Sequence, residues 1–174
     1  MNIDLANKIL DVIPKDSIEI YDLLPVFEDK KLFTEIVEYL SAPYIGKIDI
    51  VASPEAIGWI LGVAVAKDLN ASFIPLRKGG KLPYSKDNII SYTYTDDKHD
   101  GKIYEIKKDS IIANAKVLIV DEWVEDGATL KCCIGLLSKI ECIITGLATI
   151  GIDYNDGTKD WIDTKFIHFI GKNM

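Results

Sequence analysis

Two runs of the form strand, helix, strand leave this chain few ways to fold. The first is KIDIVAS, EAIGWILGVAVAKDL and ASFIPL; the second is AKVLIV, ATLKCCIGLLSKI and CIITGLATIGI. Short β-branched runs read as buried strands, and the longer apolar runs between them have the length of helices. Successive strands joined by a helix must cross over and lie parallel, with helices covering the faces of the sheet. The expectation is an α/β fold with a central parallel sheet. KFIHFI supplies a closing strand, and LANKILDVI and DKKLFTEIVEYL carry apolar residues at helical spacing. EAIGWILGVAVAKDL is apolar nearly all round, which predicts a buried helix.

Ligands of such sheets bind beyond the carboxyl ends of the strands, where VASPEA and VDEWVEDGAT would both emerge. Between the two units, Arg77 to Asn88 is basic, holds two glycines and a proline, and has no period; it reads as a mobile loop. IISYTYT and KIYEIKK flank the polar DDKHDG and predict a long hairpin.

With 174 residues and 48% hydrophobic content, one domain with a sizeable core is expected, residues 1–174 forming a single unit. A formal net charge of −7 and a pI near 4.8 oppose nucleic acid and anionic membranes, so any phosphate site must be local. No apolar run reaches the roughly 18 residues of a membrane span, and the acidic, amphipathic opening MNIDLANKILDVIPKD is unlike a signal peptide, which points to the cytoplasm. Cys132, Cys133 and Cys142 fit neither an even disulfide set nor a metal spacing, and read as buried thiols. His168 reads as a structural strand residue, and Trp59, Trp123 and Trp161 as packing residues, with Trp123 placed to shield the adjacent acids. DYNDGTKDWIDT lacks the twelfth-position glutamate of a calcium loop and reads as a surface turn.

VLIVDEWVEDGATL, Val117 to Leu130, holds four carboxylates where a strand turns into a helix. Adjacent carboxylates at a strand end, Asp121 and Glu122, accept hydrogen bonds from hydroxyl groups and stabilise nearby positive charge. Gly127, Ala128 and Thr129 offer small side chains and N–H groups at a helix start, where a phosphate binds favourably.

From about Ile18 to about Thr149 the chain resembles the type I phosphoribosyltransferases, in their adenine phosphoribosyltransferase-like purine branch. IEIYDLLPVFEDKKLF is similar to the branch's entry segment, VASPEAIGWILGVAVAKDLNASFIPLRKGGKLP to its pyrophosphate loop and the segment after it, and YEIKKDSI to the end of its flexible hairpin. VLIVDEWVEDGATL stands where the family has its phosphoribosyl pyrophosphate (PRPP) motif. The resemblance implies transfer of phosphoribose from Mg²⁺-bound PRPP to a purine, adenine or a 6-oxopurine, with release of pyrophosphate. It also implies a small hood, built mainly from residues 1–27, and a homodimer.

By the same resemblance, Asp121 and Glu122 hold the ribose, with magnesium reached only through water, and Asp126, Gly127, Ala128 and Thr129 form the phosphate loop. Ser53, Pro54, Glu55, Arg77, Lys78 and Lys81 bind pyrophosphate, and Ile18, Ile20 and Tyr21 the base, with Ile20 in the place of an aromatic. Asp96 or Asp97 supplies the hairpin carboxylate. Glu125 fits the acid that handles the purine N7 proton in enzymes of 6-oxopurines. Ile57 stands where adenine enzymes have an arginine, and Asp126 where they have a threonine. An ionised Asp126 repels phosphate unless it turns outward and leaves only N–H groups facing the anion; otherwise the loop no longer binds PRPP. The alternative function is a protein of this fold that senses PRPP or a nucleotide without turnover. RKGGKLP weakens a third reading, a pyrimidine substrate.

Overall fold

In the computed structural model, residues 1–14, 22–96 and 99–173 are described. The N-terminal layer is helical. Helix α1 (Ile3–Val12) starts where the Asn2 side chain accepts from the Leu5 N–H at 3.1 Å, and it buries Leu5, Ala6 and Ile9. A short α2 (Leu24–Glu28) with proline in its first turn leads into α3 (Lys30–Ser41). Asp29 starts α3 by accepting from the N–H groups of Lys31 and Leu32 at 2.9 and 3.1 Å. Such a cap is worth about 1 kcal/mol. Ile36 and Leu40 of α3 are fully buried, each contributing roughly 1.5–3 kcal/mol.

The rest alternates as expected: β1 (Ile50–Pro54), α4 (Gly58–Asp68), β2 (Ser72–Lys78), β3 (Ile89–Asp96), β4 (His99–Lys107), β5 (Lys116–Val124), α5 (Ala128–Leu137), β6 (Ile143–Ile152), α6 (Lys159–Asp163) and β7 (Ile167–Lys172). One seven-stranded sheet runs in the order β3-β4-β2-β1-β5-β6-β7. The five strands from β2 to β7 in that order are parallel, and the β3–β4 hairpin adds antiparallel at the β2 edge, so the sheet is mixed. One core packs α1, α3 and α4 on one face, around Ile36, Leu61 and Leu118; the other lies on the opposite face, around Leu76, Ile119 and Leu136.

Four local expectations change. Arg77 and Lys78, expected in a loop, belong to β2, because β4 supplies pairing partners in Glu105 and Tyr104. Strand β5 outlasts its apolar run and carries Asp121 to Val124 along β6, with Asp121 opposite Thr149 and Trp123 opposite Gly151. Helix α4 is not buried all round: Ile60 and Val63 are about half exposed, at 49% and 50%. The DYNDGTKDWIDT segment contains the helical turn α6.

His168 is structural, as expected: its ring stacks on Tyr39 at 4.7 Å and its Nε2 meets the Tyr39 carbonyl at 3.0 Å. Burial lowers its pKa. Cys132 and Cys133 are buried, as expected, and burial pushes both thiols up, whereas Cys142, expected with them, is only partly buried. Among the described residues no helix is long and apolar enough to cross a membrane.

Candidate active site

Strand β1 connects to β2 on one side and lies beside β5 on the other, so the chain reverses its direction of winding there. A cleft of about 660 Å³ opens at that point, beyond the carboxyl ends of the strands. Pro54 and Glu55 line it from β1, Lys78 from β2, Lys102 and Tyr104 from β4, and Asp121 to Gly127 with Thr129 from the end of β5 and the start of α5.

The acid pair forms the middle of the wall. Asp121 is 6% exposed, and its Oδ1 accepts from the Glu122 N–H at 3.0 Å. Burial first, and then the Glu122 carboxyl beside it, push the Asp121 carboxyl well above the usual range, against the pull of the Glu122 N–H and Lys102. Both carboxylates abut the first turn of α4: a Cβ at Gly58 would lie 2.9 Å from Asp121 Oδ1 and 3.3 Å from Glu122 Oε2.

The turn that follows is held from below. Gly127 sits at φ 79°, and a Cβ there would meet the Trp161 ring at 2.9 Å and the Gly157 carbonyl at 3.0 Å. Asn155 Nδ2 donates to the Glu125 carbonyl at 2.7 Å, and its Oδ1 accepts from the Gly157 N–H at 2.9 Å. Thr158 closes this support by donating to the Asp153 carbonyl. Asn155, Gly157 and Trp161 are therefore parts of the site's scaffold that sequence reading assigned to a plain surface turn or to general packing. The Asn-Asp-Gly-Thr turn signal marks only a turn; what it leans on is tertiary.

Asp126 does not turn outward. Its Oδ1 accepts from the Ala128 N–H at 2.9 Å, so the side chain occupies one of the donors expected for phosphate. Thr129 lines the cleft and accepts from Lys102 Nζ at 2.9 Å. Lys102 opens the KIYEIKK strand, and the hairpin's fold over α5 brings it here. Glu125 is exposed on the rim.

The cationic end gathers around Glu55. Its Oε1 accepts from Lys81 Nζ at 2.8 Å, and its Oε2 accepts from the Lys78 N–H at 3.0 Å and faces Arg77 Nε at 3.2 Å. Lys81's hydrogen bond above all lowers its pKa; burial opposes it as the next-largest effect, and the Lys78 N–H and the two positive charges add to the lowering. Glu55 thus serves as the partner of the expected pyrophosphate cations, and as a carboxylate it is ill suited to touch pyrophosphate itself. Tyr104 donates its hydroxyl to the Glu55 carbonyl at 3.3 Å. Arg77 stacks over Trp59 at 5.1 Å, and Trp59 Nε1 donates to the Ser53 carbonyl at 2.9 Å.

Ser53 is fully buried against Gly62 of α4, so its hydroxyl does not reach the cleft; alternation along β1 turns it inward. Asp96 accepts from Tyr94 at 3.0 Å out on the hairpin and is not among the cleft-lining residues. Ile18, Ile20, Tyr21 and Asp97 lie outside the described residues. Among the described residues no three or more acids, histidines or cysteines converge as a metal cage.

The chain that builds this cleft is similar to known enzymes in sequence and in fold. The adenine phosphoribosyltransferase of Beijerinckia indica is 36% identical over 159 residues, covering 86% of each chain. The chain belongs to the adenine phosphoribosyltransferase family. The enzyme of Rhodopirellula baltica is 35% identical over 148 residues, 83% of this chain and 70% of that protein. The crystal structure of the adenine phosphoribosyltransferase from Thermoanaerobacter pseudethanolicus superposes with a TM-score of 0.83 at 30% identity, covering 96% of this chain and 99% of the other. No family model matches the chain. With enzymes as relatives on both counts, the sensor alternative is not favoured.

Proposed function

We propose that this chain transfers phosphoribose from Mg²⁺-bound PRPP to N9 of adenine. The C1′–oxygen bond to pyrophosphate breaks, the C1′–N9 bond forms from the N7–H tautomer of the base, and the N7 proton passes to Glu125. Membership in the adenine phosphoribosyltransferase family carries the reading. The cleft's layout supports it, with an acid pair at the winding reversal between a helix start and a group of cations.

Asp121 and Glu122 hold the ribose hydroxyls and stabilise the positive charge that develops at C1′. Their oxygens also suit a hard cation reached through water. Magnesium, when bound with the substrate, offsets the charge of the leaving pyrophosphate. Gly127, Ala128 and Thr129 receive the 5′-phosphate at the start of α5. Arg77, Lys78 and Lys81 receive the pyrophosphate, in exchange for their present contacts with Glu55. Glu125, on the rim, handles the N7 proton of the base. The hairpin closes over the substrates and excludes water, which would otherwise hydrolyse the ribosyl cation.

A hood from residues 1–27, a homodimer and a cytoplasmic location complete the reading; three free cysteines, two of them buried, suit a reducing compartment. Pyrophosphate release from Mg²⁺-PRPP with adenine, hypoxanthine and guanine tests it. Adenine is expected to be the best acceptor. Release with none of the three refutes the transfer, and preference for a 6-oxopurine refutes the base.

A further inference from the structure

The phosphate end of the cleft carries too much negative charge for an anion site. Glu125 and Asp126 directly precede Gly127, and the Asp126 carboxylate already holds the Ala128 N–H at 2.9 Å. Carboxylates beside a bound phosphate repel it, and more strongly where water is partly excluded. A family member with two acids in this turn needs a cation that the turn itself does not supply.

Strand β4 supplies one. Lys102 lines the cleft, and its Nζ donates to Thr129 Oγ1 at 2.9 Å, in the first turn of α5. Its backbone is fixed on the same helix, because Cys132 Sγ lies 3.2 Å from the Lys102 carbonyl oxygen. Among the described residues, the other lysine lining the cleft is Lys78, which sits on β2 with its N–H bound to Glu55. We propose that Lys102 is the 5′-phosphate-binding cation of this enzyme, offsetting the acids of the turn and leaving Thr129 to donate to the same phosphate. An ammonium on a four-carbon stem can move the short distance from a hydroxyl to a phosphate oxygen beside it. The role rests on the reading of the cleft as a PRPP site.

Calorimetric titration separates the phosphate from the rest of the ligand. AMP and adenosine differ only in the 5′-phosphate, and each is titrated into the full chain as wild type, Lys102→Met, Lys102→Gln and Lys102→Arg. Wild type is expected to bind AMP at least tenfold more tightly than adenosine. Both neutral variants lose about tenfold in AMP affinity, the size of a charge-assisted hydrogen bond, and keep adenosine affinity within about twofold. Lys102→Arg keeps most of the AMP affinity. Equal losses for AMP and adenosine, or no loss for either, overturn the assignment. Transfer from PRPP by the wild type, measured separately, reports on the enzyme itself. If it proceeds while the neutral variants keep their AMP affinity, only the role of Lys102 falls. A wild type that neither transfers nor prefers AMP removes both.

Discussion

Replacing Gly127 by alanine should damage stability and PRPP binding together. At φ 79° an alanine costs about 1–2 kcal/mol, because its Cβ crowds the adjoining carbonyl in the left-handed region. The added methyl would also sit 2.9 Å from the Trp161 ring and 3.0 Å from the Gly157 carbonyl. Overpacking of that kind costs roughly 1–3 kcal/mol. The sum, roughly 2–5 kcal/mol, corresponds to a fall in Tm of about 4–20 °C for a domain of this size. Thermal denaturation of the apo protein measures the first effect, and Mg²⁺-PRPP titration the second, since the turn must shift to admit the methyl. Adding Trp161→Leu relieves the ring contact but neither the backbone strain nor the Gly157 contact, so the double variant should lose less than the sum of the single ones. A Gly127→Ala protein melting within about 1 °C of wild type would show that this turn is not braced against α6 as described.

Two further outcomes follow from the acids. The folded chain holds a proton on Asp121 that the unfolded chain releases, so in the window above the ordinary aspartate pKa stability falls as pH rises toward the raised folded value. Asp121→Asn removes that titration: its apo Tm should exceed the wild type's near about pH 8 and converge on it near about pH 4, and a lower Tm at the higher pH would contradict the burial argument. Glu125→Gln should lower turnover by about 10²-fold and abolish the acid limb of the rate-pH profile, with PRPP affinity unchanged within a few-fold; unchanged turnover, or a gain in PRPP affinity alone, rules out proton transfer by this residue.

The alternation of strands and helices was legible because each element carries its own period, and so was the acid-acid-turn-helix order, which is contiguous in sequence. What the sequence hid depends on partners far along the chain. Arg77 and Lys78 have a loop-like local composition, yet Glu105 and Tyr104 draw them into β2. Asp121 and Glu122 end an apolar run, yet Thr149 and Gly151 continue the β5 ladder past them. Ser53, expected to bind pyrophosphate, takes a face of β1 that buries its side chain against Gly62. Lys102 opens the KIYEIKK run as one polar residue beside the hairpin turn, and only the packing of the hairpin on α5 brings it to Thr129. Asp126 shows the same limit at shorter range, since its charge was legible and its choice of the Ala128 N–H was not.

The central claim is that the acid pair at the end of β5 holds PRPP. Titrating Mg²⁺-PRPP calorimetrically into wild type and into Asp121→Asn with Glu122→Gln tests it most directly. Wild type should bind, and the double variant should lose binding by at least about 10²-fold while its apo Tm stays equal or rises, because the cost of ionising the buried Asp121 beside Glu122 is gone. Undiminished binding in a folded double variant would contradict the account.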